Sequence, residues 1–168
     1  MVLDLLVPPR CPACGAVPTS VWCGVCLAHL ARLALPGLGA EDLAPGVRAV
    51  GAYAYTDVVR DTILAVKAGG RHDAVDGMGS LLRARLKLPA PRPGLAVTWV
   101  PTARRTLAER GVCVPRRLAG PAARPLLRRV RDTPDQTALG ASARRTSVAG
   151  AFAPTGPAPP AVVLVDDV

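Results

Sequence analysis

Residues 158–168 read APPAVVLVDDV. Two prolines close whatever precedes them, Ala161–Val165 is wholly apolar, and two adjacent acids follow, Asp166 and Asp167. An apolar run without polar alternation is the pattern of a strand covered on both faces, as in the middle of a parallel sheet. In open α/β sheets ligands sit beyond the carboxyl ends of the strands. A pair of carboxylates there could meet sugar hydroxyls or a hydrated Mg²⁺. A solvated turn or a helix cap would use the same two acids. Their chemistry therefore depends on what else the sheet presents at that end.

Upstream, strand and helix patterns alternate. Residues 47–55 (VRAVGAYAY) alternate as a strand. DVVRDTILAVKA follows as a helix, with Thr56 as its cap, Asp57 and Asp61 early, Lys67 late, and Val59, Ile63 and Val66 on one face. Gly69-Gly70 stop it. A further helix is expected over 72–88, a strand over 95–101 closed by Pro101, and a helical Arg-rich stretch over 103–124. A strand over 126–131, a small polar loop from 132 and the final strand complete the pattern. This order predicts α/β architecture with a mostly parallel sheet. The Pro/Gly-rich segment 36–46 separates it, as a linker, from an N-terminal region over 1–35 that includes a short helix at 27–35. The main domain is then 47–168.

Half of the 168 residues are hydrophobic and aromatics make up only 3%, so the core must be aliphatic. The net charge of +9 points to an anionic partner. Of the 21 basic residues only Lys67 and Lys87 are lysine, and Ala, Gly, Pro, Val and Arg crowd the chain, which fits a GC-rich coding bias. Part of the charge is therefore codon habit. No apolar run approaches the ~18 residues of a membrane span. The opening MVLDLLVPPR lacks a basic n-region and makes a poor signal peptide. A cytoplasmic protein is expected, and in a reducing compartment clustered cysteines indicate metal before disulfide.

Cys11, Cys14, Cys23 and Cys26 form C-x2-C-x8-C-x2-C. Each C-x2-C turn can present two thiolates to one tetrahedral ion, and two such turns close the shell, so a structural Zn²⁺ is expected. Free or redox-active thiols are the alternative. His29 lies close enough in sequence to substitute as a ligand, although four thiolates suffice. Cys113 stands alone and reads as a small, partly buried residue.

Residues 104–131 hold nine arginines against one acid, Glu109. WVPTARR repeats the strand–turn theme, with cations at a helix start, where backbone N–H groups and guanidinium forks suit phosphate oxygens. An anion site at one strand end and a hydroxyl or metal site at another would together suit a sugar carrying a polyphosphate. An Arg-rich solvated helix face is the plainer reading of the same residues.

Five stretches together resemble the ComF-type (competence protein F) phosphoribosyltransferase-like family: LLVPPRCPACG with CGVC, AYTDVVRDTILAVKAGG, VPTARRTLAERG, LLRRVRDTPDQTALGASARRTSVAGAF, and VVLVDDV. The resemblance implies a zinc ribbon followed by a type I phosphoribosyltransferase-like, Rossmann-like parallel sheet. It also implies binding of phosphoribosyl pyrophosphate or a related sugar phosphate with Mg²⁺. Carried over by position, Asp166 and Asp167 would hold ribose hydroxyls. The turn Pro101-Thr102-Ala103-Arg104-Arg105 would take the pyrophosphate, and the loop carrying Asp132, Thr133, Gln136 and Thr137 would close over it. No side chain is implied as a catalytic nucleophile. The family name links it to competence and DNA uptake, so single-stranded DNA or competence machinery are further implied partners. A nucleic-acid-binding accessory protein, gripping phosphates with its ribbon and arginines, is the competing reading, although aromatics for base stacking are scarce.

Two departures from the family stand out. Where relatives carry an aromatic followed by Asn-Gln after Arg-Gly, this chain has Val112-Cys113-Val114. Relatives also continue the acidic pair into a Thr-Thr-Gly turn that cradles the sugar 5′-phosphate. Here Val168 follows Asp167 as the last residue. The expectation is thus an incomplete sheet, truncated after the acidic strand end, with weak or absent ligand binding and no turnover.

Overall fold

The computed structural model describes residues 10–18, 20–68, 71–88, 90–133 and 146–167. These fall into two units, the first ending at Leu88 and the second at Asp167.

In the first unit, α1 (Gly24–Arg32) starts directly after Cys23, earlier than the expected 27–35, because the second cysteine turn is itself the helix start. Helix α2 (Asp57–Lys67) buries Val58, Thr62, Ile63 and Val66, a stripe at helical spacing. Thr56 occupies the cap position with extended backbone, but its hydroxyl makes no capping hydrogen bond. The expected Gly69-Gly70 stop lies outside the described residues. Helix α3 (His72–Leu86) opens on a bidentate pair, Arg71 Nε and Nη2 to the Asp73 carboxylate at 3.0 and 2.9 Å. It buries Ala74, Val75 and Gly79.

Segment 36–46, expected as a linker, carries a 3₁₀ turn (Pro36–Gly39) and strand β1 (Glu41–Ala44), which pairs antiparallel with β2 (Val47–Ala49). The strand expected over 47–55 ends at Ala49. Beyond it the backbone turns to the segment after α1: Leu35 N–H donates to Ala52 at 3.1 Å, Gly51 to Leu38 at 2.8 Å and Ala54 to Leu33 at 2.9 Å. Alternation alone did not reveal that change of partner.

In the second unit, β3 (Leu95–Trp99) and β6 (Ala161–Val165) pair in parallel, in register from Leu95↔Ala161 to Trp99↔Val165. The Arg-rich stretch expected as one helical region splits into α4 (Arg104–Arg110) and α5 (Val114–Ala119). The break is at Gly111, whose φ of +69° lies in the left-handed region that glycine tolerates, with Pro115 opening the second helix. Helix α5 packs on both β3 and β6. Strand β4 (Leu127–Arg129) pairs antiparallel with β5 (Phe152–Pro154).

The described residues thus form a mixed helix/strand fold with one small parallel sheet and two antiparallel pairs, and no sheet among them closes into a barrel. A mostly parallel sheet was expected. The apolar strand at 161–165 was expected to be buried on both faces, yet Val162 and Leu164 are 43% and 53% exposed. Its alternate residues Val163 and Val165 are the better covered. An apolar run records what a strand can bury, not how many neighbours it has.

Thr98 lies buried at the centre of β3, and its hydroxyl accepts the Leu126 backbone N–H at 3.2 Å. Thr98→Val would keep the shape and leave the Leu126 N–H with only its other acceptor, the Arg124 carbonyl at 3.0 Å. Urea denaturation of the full chain should show a loss of about 0.5–1.5 kcal/mol.

Candidate metal centre and strand-end rim

The first cysteine pair is shaped by a tight turn. Gly15 N–H donates to Cys11 C=O at 2.9 Å and Cys11 N–H to Ala16 C=O at 2.7 Å, with Gly15 at φ +75°. The second pair is set by α1: Cys23 caps the helix and Cys26 lies in its first turn, with Leu27 N–H on Cys23 C=O at 2.9 Å. The four sulfur atoms lie within 4.8 Å of one another. Cys14 and Cys23 Sγ are 3.6 Å apart, and all four cysteines are free thiols. Zn–S bonds of ~2.3 Å put the corners of a tetrahedron ~3.8 Å apart, so the spacing fits a metal and is far too long for a disulfide. The four cysteines could therefore hold a metal ion such as zinc. His29, the alternative ligand, falls outside this cluster.

Electrostatics within the cluster are uneven. Burial alone would raise Cys11, but backbone N–H groups of Cys23, Cys14 and Ala13 outweigh it and bring the thiol down to about 6. Burial pushes the Cys26 thiol up, reinforced by the sulfurs of Cys14, Cys23 and Cys11. For Cys14 the Ala16 backbone N–H pulls down, yet the hydrogen bonds shared with Cys23 and Cys11 leave it raised.

Cys11 and Cys26 are buried in one apolar cluster with Trp22, Leu30 and Val58, against which Val59, Met78 and Leu81 also pack. Trp22 was missed as a site residue in the sequence. Its position immediately before Cys23, in a chain with two tryptophans, was the available signal.

The second unit contains the remaining predicted residues. Since β3 and β6 run parallel with Trp99 beside Val165, the turn at 101–105 and the acids 166–167 leave the same end of the strand pair. Val100 N–H donates to Val165 C=O at 3.1 Å, extending the pairing to the edge of that rim. The individual groups are partly engaged. Thr102 donates its hydroxyl to Cys113 Sγ at 3.2 Å, and Arg105 Nε donates to Glu109 at 2.8 Å on the exposed side of α4. Helix α4 has only seven residues, too few for a strong macrodipole at Arg104. The Asp167 N–H folds back on Asp166 Oδ1 at 2.9 Å.

Arg129, which sequence reasoning counted only among the cations, links the rim to the start of the 132–137 loop. Its Nε donates to Pro101 C=O at 3.3 Å, its Nη1 to Thr133 Oγ1 at 3.0 Å, and the guanidinium lies 4.8 Å from the Phe152 ring centre. Asp132 is exposed beside it. Gln136 and Thr137 lie outside the described residues.

The class defined so far is a mixed α/β chain with a four-cysteine cluster that could hold a metal ion and a small parallel sheet whose strand ends carry opposite charges. No family model, curated protein or solved structure matches this chain. Among the described residues no helix is long and apolar enough to cross a membrane.

Cys26→Ser should abolish stoichiometric metal retention, read by elemental analysis of the purified protein. Metal competes with protons for thiolates. At pH 7 binding should release a proton each from Cys14 and Cys26, whose thiols are raised, but little from Cys11. As pH falls through about 6 Cys11 becomes protonated as well, and the decline of affinity with falling pH should steepen there. Competition titration against a chromophoric chelator across pH measures both.

Proposed function

We propose that this chain is a ComF-type phosphoribosyltransferase-like protein, with a structural zinc held by Cys11, Cys14, Cys23 and Cys26 and a rim at 101–105 and 166–167 that receives a sugar bearing a pyrophosphate. The parallel pairing of β3 and β6 is the observation that carries the rim reading, because it brings cations and acids from distant sequence to one strand end. Phosphoribosyl pyrophosphate needs both: guanidinium and backbone N–H groups for the pyrophosphate, carboxylates for the ribose hydroxyls. In the reaction class of this family an acceptor attacks the anomeric carbon as pyrophosphate departs with the bonding pair. Catalysis of that kind needs positioning and charge neutralisation, not a side-chain nucleophile. Mg²⁺ arriving with the pyrophosphate supplies part of the neutralisation. Arg129, tied to Pro101 and Thr133, would orient the turn.

Of the rim's charged groups Arg104, Arg105 and Asp166 are exposed, and exposed charge contacts are individually weak and salt-screened. A nucleic-acid surface has less in its favour. Trp22 is buried, and Trp99 and Phe152 each carry an arginine over the ring, Arg116 at 5.6 Å and Arg129 at 4.8 Å, which competes with base stacking.

Calorimetry with phosphoribosyl pyrophosphate and Mg²⁺ at low salt should give weak binding that fades as salt is added. Asp166→Asn with Asp167→Asn should weaken it by about tenfold. Binding indifferent to those substitutions would remove the rim reading. A steep salt slope for single-stranded DNA, with no sugar-phosphate binding, would favour the nucleic-acid alternative.

A further inference from the structure

We infer that the metal centre governs the order of the helices α2 and α3 as well as its own cysteine turns, and that Trp22 transmits the effect. This rests on the four-cysteine cluster alone and is independent of the rim reading. A short metal-binding segment ordinarily has its own small fold, which opens when metal leaves. Here the segment shares its core with the helices. Cys11 and Cys26 are 2% and 5% exposed and pack in the same cluster as Val58 of α2, with Val59, Met78 and Leu81 around it.

Trp22 makes the connection specific. It is 4% exposed and adjoins the ligand Cys23, so its backbone position is set by the second cysteine turn. Its indole Nε1–H donates to Thr62 Oγ1 at 3.1 Å, a buried hydrogen bond across 40 residues of sequence. Thr62 is itself 1% exposed and lies in the middle of α2. On the other side, the indole ring lies against Gly77 of α3. A Cβ at Gly77 would meet ring carbons at 2.9 and 3.0 Å, so the absence of a side chain lets α3 approach. One ring therefore touches both helices and is held by a residue next to a metal ligand.

Without a cation no bond joins the two cysteine turns, whose sulfurs lie within 4.8 Å of one another, and the turns are free to separate. Trp22 then loses its seat, and the inner faces of α2 and α3 lose their cover. Linkage makes the effect reciprocal: a change that unseats Trp22 from the helix side must weaken metal binding by the same free energy.

The test is made on the full chain, loaded with stoichiometric zinc and then chelated. Metal content is measured first, and hydrogen exchange is followed by mass spectrometry in peptides from 57–67 and 72–86. Chelation should raise exchange in both. Thr62→Val, which removes the acceptor, and Gly77→Ala, which crowds the ring, should each weaken zinc affinity by about tenfold with all four cysteines intact. Thr62→Ser should restore wild-type affinity. Gly156→Ala, where an added Cβ meets nothing within 4 Å, should leave it unchanged. If zinc binds but the rise in exchange stays within 10–32, or if both helix variants keep wild-type affinity, the inference falls while the metal site stands. If the wild-type chain retains no metal, both fall.

Discussion

Four sulfur atoms within 4.8 Å of each other are the constraint on which the first unit depends. Thiols tolerate that spacing only with protons or a cation between them. The cluster shows the strain of sharing: backbone N–H groups bring Cys11 down, while burial and neighbouring sulfurs push Cys26 up. Around this polar knot lies an apolar cluster to which two of the cysteines, Cys11 and Cys26, belong. Cysteine cluster and hydrophobic core are therefore one object. The cysteine turns supply rigidity that so short a segment could not generate by burial, and the helices supply the cover it lacks.

In the second unit the comparable constraint is the short parallel pair β3–β6. Ala96, Val97 and Thr98 are buried on β3, and α5 packs on both strands. Parallel direction decides which residues share an end. It is why the turn after Trp99 and the acids after Val165 stand at one rim despite more than 60 intervening residues. Arg129 then joins Pro101, Thr133 and Phe152 through one planar cation, a geometry suited to guanidinium and not to lysine.

The contrast between the two candidate sites is physical. The cysteine cluster is compact: its four sulfurs are close together, and Cys11 and Cys26 are buried. The rim is open: Arg104, Arg105 and Asp166 are exposed, and two of its groups are turned to local partners, Thr102 to Cys113 and Arg105 to Glu109. A closed thiolate cage suits a resident structural ion. An open rim suits a ligand that contributes its own charge and its own bound cation, and exchanges rapidly.

By itself the sequence determined the local matters. The C-x2-C spacing specified which four cysteines come together, because the geometry of such a turn needs only a few consecutive residues. Helical apolar spacing specified α2, and the run AVVLV specified a strand. Tertiary structure decided partners and exposure. It turned residues 50–54 toward the segment after α1, paired β4 with β5 in antiparallel fashion, and left Val162 and Leu164 open on a strand that reads as buried. It also set Trp22 on Thr62 and against Gly77, a junction that no spacing rule encodes. Periodicity reports which face of an element is apolar. Which surface meets that face depends on contacts between residues far apart in sequence, and these exist only once the chain has folded.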